Sequence, residues 1–189
     1  MSAFSDAYER QLRSLTNEFL AAIEGISDDD LNAWTPQMAI AGTQEITTFA
    51  ALGVHIAGAG EFMTLIAVGG APVTRDRDAE FVAKATRAQI EHRFDSWLPK
   101  VHLLLERLTE QELAAQNTHD RYLDRDWTNA RILLHALDHT ALHVGHAQIQ
   151  RQLWEDEQTR GADRKTPDPV ALPVGSQRIT DKAEGRTNA

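Results

Sequence analysis

Four of the chain's eight histidines, His135, His139, His143 and His146, fall on one short stretch between Leu134 and Ala147. At roughly 100° per residue they project at about 0°, 40°, 80° and 20° around an α-helix, a single narrow stripe. His139 and His143 form an i, i+4 pair, so their imidazoles lie one turn apart on one face and can meet one ion. Neutral imidazole is a suitable ligand for zinc, nickel, copper or iron. Two ligands on one helix hold a catalytic metal poorly, so a third has to come from elsewhere. His55 is the best candidate, because Val54, Ile56 and Ala57 flank it and Gly53 and Gly58 lie close by. An imidazole in such apolar surroundings is costly unless its ring nitrogens are bonded. Taken alone, His55 reads first as a hydrogen-bonded core residue; the clustering of the other four shifts the balance towards metal. Three histidines on two facing helices would make a tripod with open positions, the layout of catalytic rather than closed structural sites. His135 and His146 then belong to the pocket lining or to the shell behind the ligands. His92, His102 and His119 read as surface or core residues without a site role.

The elements that must position these side chains all carry helical periodicity. From about Asp6 to Glu24, Leu12, Leu15, Phe19, Leu20 and Ile23 recur at spacings of three and four and predict an amphipathic helix. Gly25 and the run Ser27-Asp28-Asp29-Asp30 end it and cap a short turn. A second, more apolar helix is predicted from roughly Gln44 to Val68. Gly53, Gly58 and Gly60 lie inside it, each costing about 1 kcal/mol against Ala in an exposed helix. Such a cost points to close approach by a neighbouring helix or a ligand. A third helix is expected from about Ala79 to Leu108, with Pro99 predicting a kink or break near Trp97-Leu98. The fourth, which carries the histidine stripe, is expected from Trp127 or Thr128 to about Glu157, with Asp126 or Thr128 as its cap. Thr109-Glu110-Gln111-Glu112 after the third helix repeats the capping chemistry of Ser27 to Asp30. No strand alternation of useful length appears. The expected fold is therefore all-α, a four-helix bundle over residues 1–160. Pro167, Pro169 and Pro173 with alternating charges make 161–189 a non-helical C-terminal extension, laid over the bundle or solvated.

Composition excludes several classes of function. The chain of 189 residues has a net charge of −9, which argues against a nucleic-acid binder, since phosphate contacts need surplus Lys and Arg. It has no cysteine, which removes disulfide scaffolds, Cys-ligated zinc, iron–sulfur clusters and a cysteine nucleophile together. No basic-then-apolar leader is seen and no run is read as long and apolar enough to span a bilayer, so a cytoplasmic location without a membrane partner is expected. His139-Thr140-Ala141-Leu142-His143 lacks the Glu that a zincin protease uses as base. No Glu stands three residues before any histidine, so the Glu-x-x-His motif of di-iron bundles is missing. Phosphate-loop, dinucleotide and Gly-x-Ser-x-Gly patterns are absent too.

The stretch His139-Thr140-Ala141-Leu142-His143-Val144-Gly145-His146-Ala147-Gln148 resembles the last-helix His-x-x-x-His-x-Gly-Gln signature of the DinB/YfiT superfamily. Leu52-Gly53-Val54-His55-Ile56-Ala57, followed by Glu61, is similar to that family's second-helix histidine segment. Ile26 to Trp34 resembles its linker after helix one. The resemblance spans about Tyr8 to Trp154. It implies a four-helix bundle with a divalent metal, zinc first and nickel second, held by His55, His139 and His143. It also implies a thiol-dependent transferase or isomerase that takes a low-molecular-weight thiol, and a homodimer. The family's Gln after the glycine is here His146, a departure that bears on substrate preference or metal tuning. With no cysteine of its own, the protein would draw its thiol from a small cosubstrate and pass it to an electrophilic small molecule. A bound metal makes a thiol acidic near neutral pH, and thiolate is the nucleophile. Glu61 and His146 are the candidates for catalytic proton handling. Water activation for hydrolysis, a non-catalytic structural or sensing metal site, and a haem binder are the competing readings.

Overall fold

The computed structural model of the protein describes residues 2–36, 47–72 and 75–163. The first helix, α1 (Ala3–Ala22), starts at Ser2, whose hydroxyl accepts from the Ser5 amide, and buries Tyr8, Leu12, Leu15 and Phe19. Ser27 caps the six-residue α2 (Asp28–Ala33) by accepting from the Asp30 amide. Thr48 caps α3 (Phe49–Glu61), which runs into a π-helical segment, Phe62–Val68. A single turn, α4 (Arg77–Glu80), precedes α5 (Arg87–Arg107), and α6 (Glu110–Ala114) follows it. A 3-10 segment, Asp120–Arg125, leads into α7 (Asn129–Asp163), whose 35 residues make it the longest element. Helix α1 packs on α5 and α7, and α3 packs on the same two helices, closing a four-sided bundle. Phe19, Phe49, Phe94 and Trp97 fill its centre. Among the described residues no strand forms.

The capping chemistry read from the sequence is built as expected. Thr109 and Glu112 form a reciprocal capping box at α6. At α7 the Thr128 hydroxyl accepts from the Arg131 amide. Two expected helices are revised. The second is α-helical only from Phe49 to Glu61; its Gln44 start falls partly outside the described residues. Beyond Glu61 the ladder widens, and the Gly69 amide reaches Thr64 O, five residues back, at 2.9 Å. The Thr64 hydroxyl donates to Gly60 O at 2.7 Å and accepts from the Trp97 indole at 3.0 Å, so a side chain competes for the carbonyls at the point where the helix changes pitch. The third helix is not continuous from Ala79. The chain leaves helix after Glu80 and re-enters it at a Thr86–Gln89 capping box. Pro99 lies inside α5 without ending it. The fourth helix extends past Glu157 to Asp163, so the first three residues of the expected 161–189 extension are helical, and its remainder from 164 onward lies outside the described residues.

The glycines of α3 permit close packing, as their cost implies. A Cβ on Gly60 would overlap the Trp97 indole, and one on Gly53 would press on Phe19 and Ile90. The length expectation for apolar runs is corrected here. Phe49–Val68 is long and apolar enough to cross a membrane, with a mean hydropathy of 1.6. That window is 78% buried inside the bundle, where its apolar surface meets protein.

Candidate metal centre

His55 sits mid-way along α3 and is 4% exposed, while His139 and His143 project from α7, which packs against α3. Ring centroids lie 5.1 Å apart for His55 and His139, 4.9 Å for His55 and His143, and 4.4 Å for His139 and His143. One nitrogen from each ring falls within 4.8 Å of the others, a group able to hold a metal ion. Nε2 of His139 and Nε2 of His143 face each other at 3.3 Å.

The orientation of His55 is fixed from behind. Its Nδ1 lies 2.9 Å from Glu80 Oε2, and Arg75 clamps the same carboxylate with Nε and Nη2, both at 2.7 Å. Burial pushes the Glu80 carboxyl up, but the hydrogen bonds from Arg75 and then His55 outweigh it and hold it below the usual range. An ionised carboxylate only accepts, so Nδ1 of His55 is the donor in this pair, which in a neutral ring leaves the Nε2 lone pair for the cavity. Gly58 makes this possible, since a Cβ there would collide with the Glu80 carboxylate. Phe81 stacks on the His55 ring at 4.6 Å.

The α7 imidazoles are held neutral. Burial first, then the neighbouring His143, His55 and His135, pushes His139 down to about 3. Burial, followed by His55 and His146, lowers His143 to about 4. At neutral pH both therefore present lone pairs without losing a proton, as metal ligation requires. Three imidazoles are a donor set suited to zinc or nickel. Nδ1 atoms of His139, His143 and His146 are buried without a hydrogen-bond partner.

A cavity of about 850 Å³ opens directly on this group. His135 and His146 line it; His146 meets His143 edge to face at 5.4 Å, and His135 meets Trp127 in the same way at 5.1 Å. Burial, opposed by Asp138, lowers the His135 pKa. Glu61 is not brought to the site. Six residues after His55, it stands roughly 120° around the helix. Its carboxylate pairs with Arg93 at 2.8 Å and lines a separate pocket. Phe62, seven residues after His55, takes the cavity-facing position instead. Of the remaining histidines, His102 bonds Glu9 at 2.8 Å, and His119 Nδ1 accepts from the Arg121 amide at the start of the 3-10 segment. Glu80 and Arg75 were not singled out from sequence. The one available signal was Gly58, whose helical cost is explained by the carboxylate lying against it.

A family model of the DinB superfamily matches residues 11–147. The chain belongs to the DinB superfamily. The crystal structure of a conserved protein from Enterococcus faecalis has a similar fold, with a TM-score of 0.61 at 15% identity over 81% of this chain and 97% of that one. None of the curated proteins matches. The match of this DinB chain spans α1 through the histidine stripe of α7 and stops at Ala147, just past His146.

Proposed function

We propose that this DinB protein is a divalent-metal-dependent enzyme acting on a small molecule, with His55, His139 and His143 as the ligands. The observation that carries the reading is the convergence of three imidazoles, one held by Glu80, on a cavity large enough for a substrate. An open cavity favours catalysis over a structural staple, because structural zinc sites are closed by four protein ligands. Zinc is the first choice of ion and nickel the second. Bound there, such an ion would supply a Lewis acid that makes a thiol or a water acidic near neutral pH.

The chain's own residues do the rest. Glu80 fixes the tautomer and direction of His55. Phe62, Met63 and Leu142 give the cavity part of its apolar lining. His146, beside His143 with a buried unpartnered Nδ1, takes the place of Glu61 as the group able to hold or move a proton. The nucleophile is a low-molecular-weight thiol, with water as the alternative; the acceptor is an electrophilic small molecule. A homodimer in the cytoplasm is the working expectation for the assembly.

Elemental analysis after mild purification should give about one zinc or nickel per chain, and metal-reloaded protein should conjugate a thiol to an electrophile in a mass-spectrometric panel. His143→Ala should lose both. A metal-free protein that takes up neither zinc nor nickel would sink the reading. A variant that loses thermal stability, from a parent without activity on any thiol or hydrolysable ester, would instead favour the structural site.

A further inference from the structure

The sign of charge around the cavity is opposite to that of the chain. Asp and Glu outnumber Lys and Arg 28 to 19 in the sequence. Yet Arg75, Arg77, Arg121 and Arg125 line the cavity and, among the described residues, no Asp or Glu does. Arg75 is already committed, since its guanidinium is matched by Glu80. The other three are not. Among the described residues, Arg121 and Arg125 have no carboxylate within 4 Å, and Arg77 has only Asp78 at 4.0 Å, in a pair that is exposed on both sides.

Aromatic rings hold these guanidiniums in place. Arg77 lies over Phe81 at 4.8 Å, Arg121 over Phe62 at 5.8 Å, and Arg125 over Trp127 at 5.3 Å. Stacking uses the face of a guanidinium and leaves its N–H edge free to donate. The 3-10 segment Asp120–Arg125 carries acids of its own, but Asp120 and Asp124 do not line the cavity, whereas Arg121, Tyr122 and Arg125 do. Stacked guanidiniums without a close carboxylate share the lining of one cavity with metal-competent imidazoles, which describes a ligand with an anionic group besides its reacting one.

We infer that Arg121 and Arg125, with Arg77, form an anion-binding arm that selects small molecules carrying a carboxylate or phosphate in addition to the reacting group. The planar guanidinium fork matches both groups in pairs of parallel hydrogen bonds, which a lysine could not do. The cluster of positive charge draws anions towards this face of an otherwise acidic protein. The inference rests on the proposed use of the cavity as the substrate site, but it does not depend on an ion being bound.

Its test uses the full chain stripped of metal, in chloride buffer at constant ionic strength. Binding of succinate, its neutral counterpart succinamide, glycerol 3-phosphate and glycerol is followed by calorimetry. The expected result is saturable binding of an anion and none of its neutral counterpart. Preference for succinate assigns a carboxylate, and preference for glycerol 3-phosphate a phosphate. An Arg121→Gln/Arg125→Gln variant, at exposed positions, should bind the preferred anion about tenfold more weakly or worse while taking up zinc as the parent does. Equal binding of charged and neutral probes to the parent chain, or unchanged anion affinity in the folded double variant, overturns the inference. Failure of the parent to take up zinc leaves this assay intact and speaks only against the metal reading.

Discussion

Glu80→Gln is the sharpest perturbation of the site, because it preserves volume and removes only charge. The carboxylate accepts three hydrogen bonds, two from Arg75 and one from His55. A glutamine offers one accepting oxygen and one donating amide. If the oxygen stays on Arg75, the amide faces Nδ1 of His55, which must then give up its proton. The proton moves to Nε2, the atom needed for an ion, and His55 is lost as a ligand. If the oxygen instead takes the place of Oε2, it accepts from His55 Nδ1 and Arg75 Nη2, the amide opposes Arg75 Nε, and a nearly buried guanidinium, 14% exposed, loses one bond and its compensating charge. Disturbing such an orienting carboxylate typically costs 10–100-fold in metal affinity, about 1.4–2.7 kcal/mol. Loss of the Arg75 clamp should cost the metal-free fold about 2–4 kcal/mol more. Zinc affinity is measured by competition with a chromophoric chelator, and metal-free stability by urea unfolding. Glu61→Gln is the control: it removes a pairing with Arg93 outside the cavity and should leave zinc affinity unchanged. If folded Glu80→Gln binds zinc within threefold of the parent, the orienting role is wrong.

Two further outcomes follow from the same geometry. Gly145 lies inside α7 between two site histidines, and a Cβ there would meet nothing within 4 Å; Gly145→Ala should therefore stabilise the metal-free chain by about 0.5–1 kcal/mol in urea unfolding, unless the open space is occupied by a ligand or partner. His139 and His143 have folded pKa values of about 3 and 4, below an unfolded value near 6.5. Their neutral forms contribute stability that is complete above pH 6.5 and is lost as pH falls towards 4, because only the unfolded chain takes up the protons. Urea midpoints between pH 7.5 and 5 should fall more steeply in the parent than in His139→Gln/His143→Gln, and parallel curves would refute the depressed values.

The fold was legible because α1, α5 and α7 announce themselves through spacing that tertiary packing has no reason to override. Leu12, Leu15 and Phe19 are predicted on one face and are buried there. The histidine stripe was legible for the same reason, as four side chains at helical spacing share a direction whatever surrounds them. His55 could be placed because it is costly where it stands. Features decided by a single long-range contact were not legible. The π segment after Glu61 depends on Trp97 reaching Thr64 from another helix. The break after Glu80 depends on a buried carboxylate that must meet both His55 and Arg75, and nothing in Arg77-Asp78-Ala79-Glu80 marks its last residue as different from its neighbours. Glu61 follows His55 by six residues, and the resulting angle of roughly 120° around the helix puts its carboxylate on Arg93 outside the cavity.

One consequence joins these observations. The three imidazoles come from α3 and α7, but the direction of His55 is set by α4, a single turn held by little of its own. Its Glu80 can lie against α3 only because Gly58 has no side chain, and it stays ionised there only because Arg75 accompanies it. The metal-competent form of His55 is therefore a property of a short connecting segment rather than of the bundle. The cavity's guanidiniums at 121 and 125 likewise come from a 3-10 connection. The long helices supply convergence of nitrogen atoms; the connections supply tautomer and charge. Substitutions in Arg75–Glu80 or Asp120–Arg125 should thus alter ion and ligand selection while leaving the bundle's helical content unchanged, whereas substitutions in the α3–α7 contact should remove fold and site together.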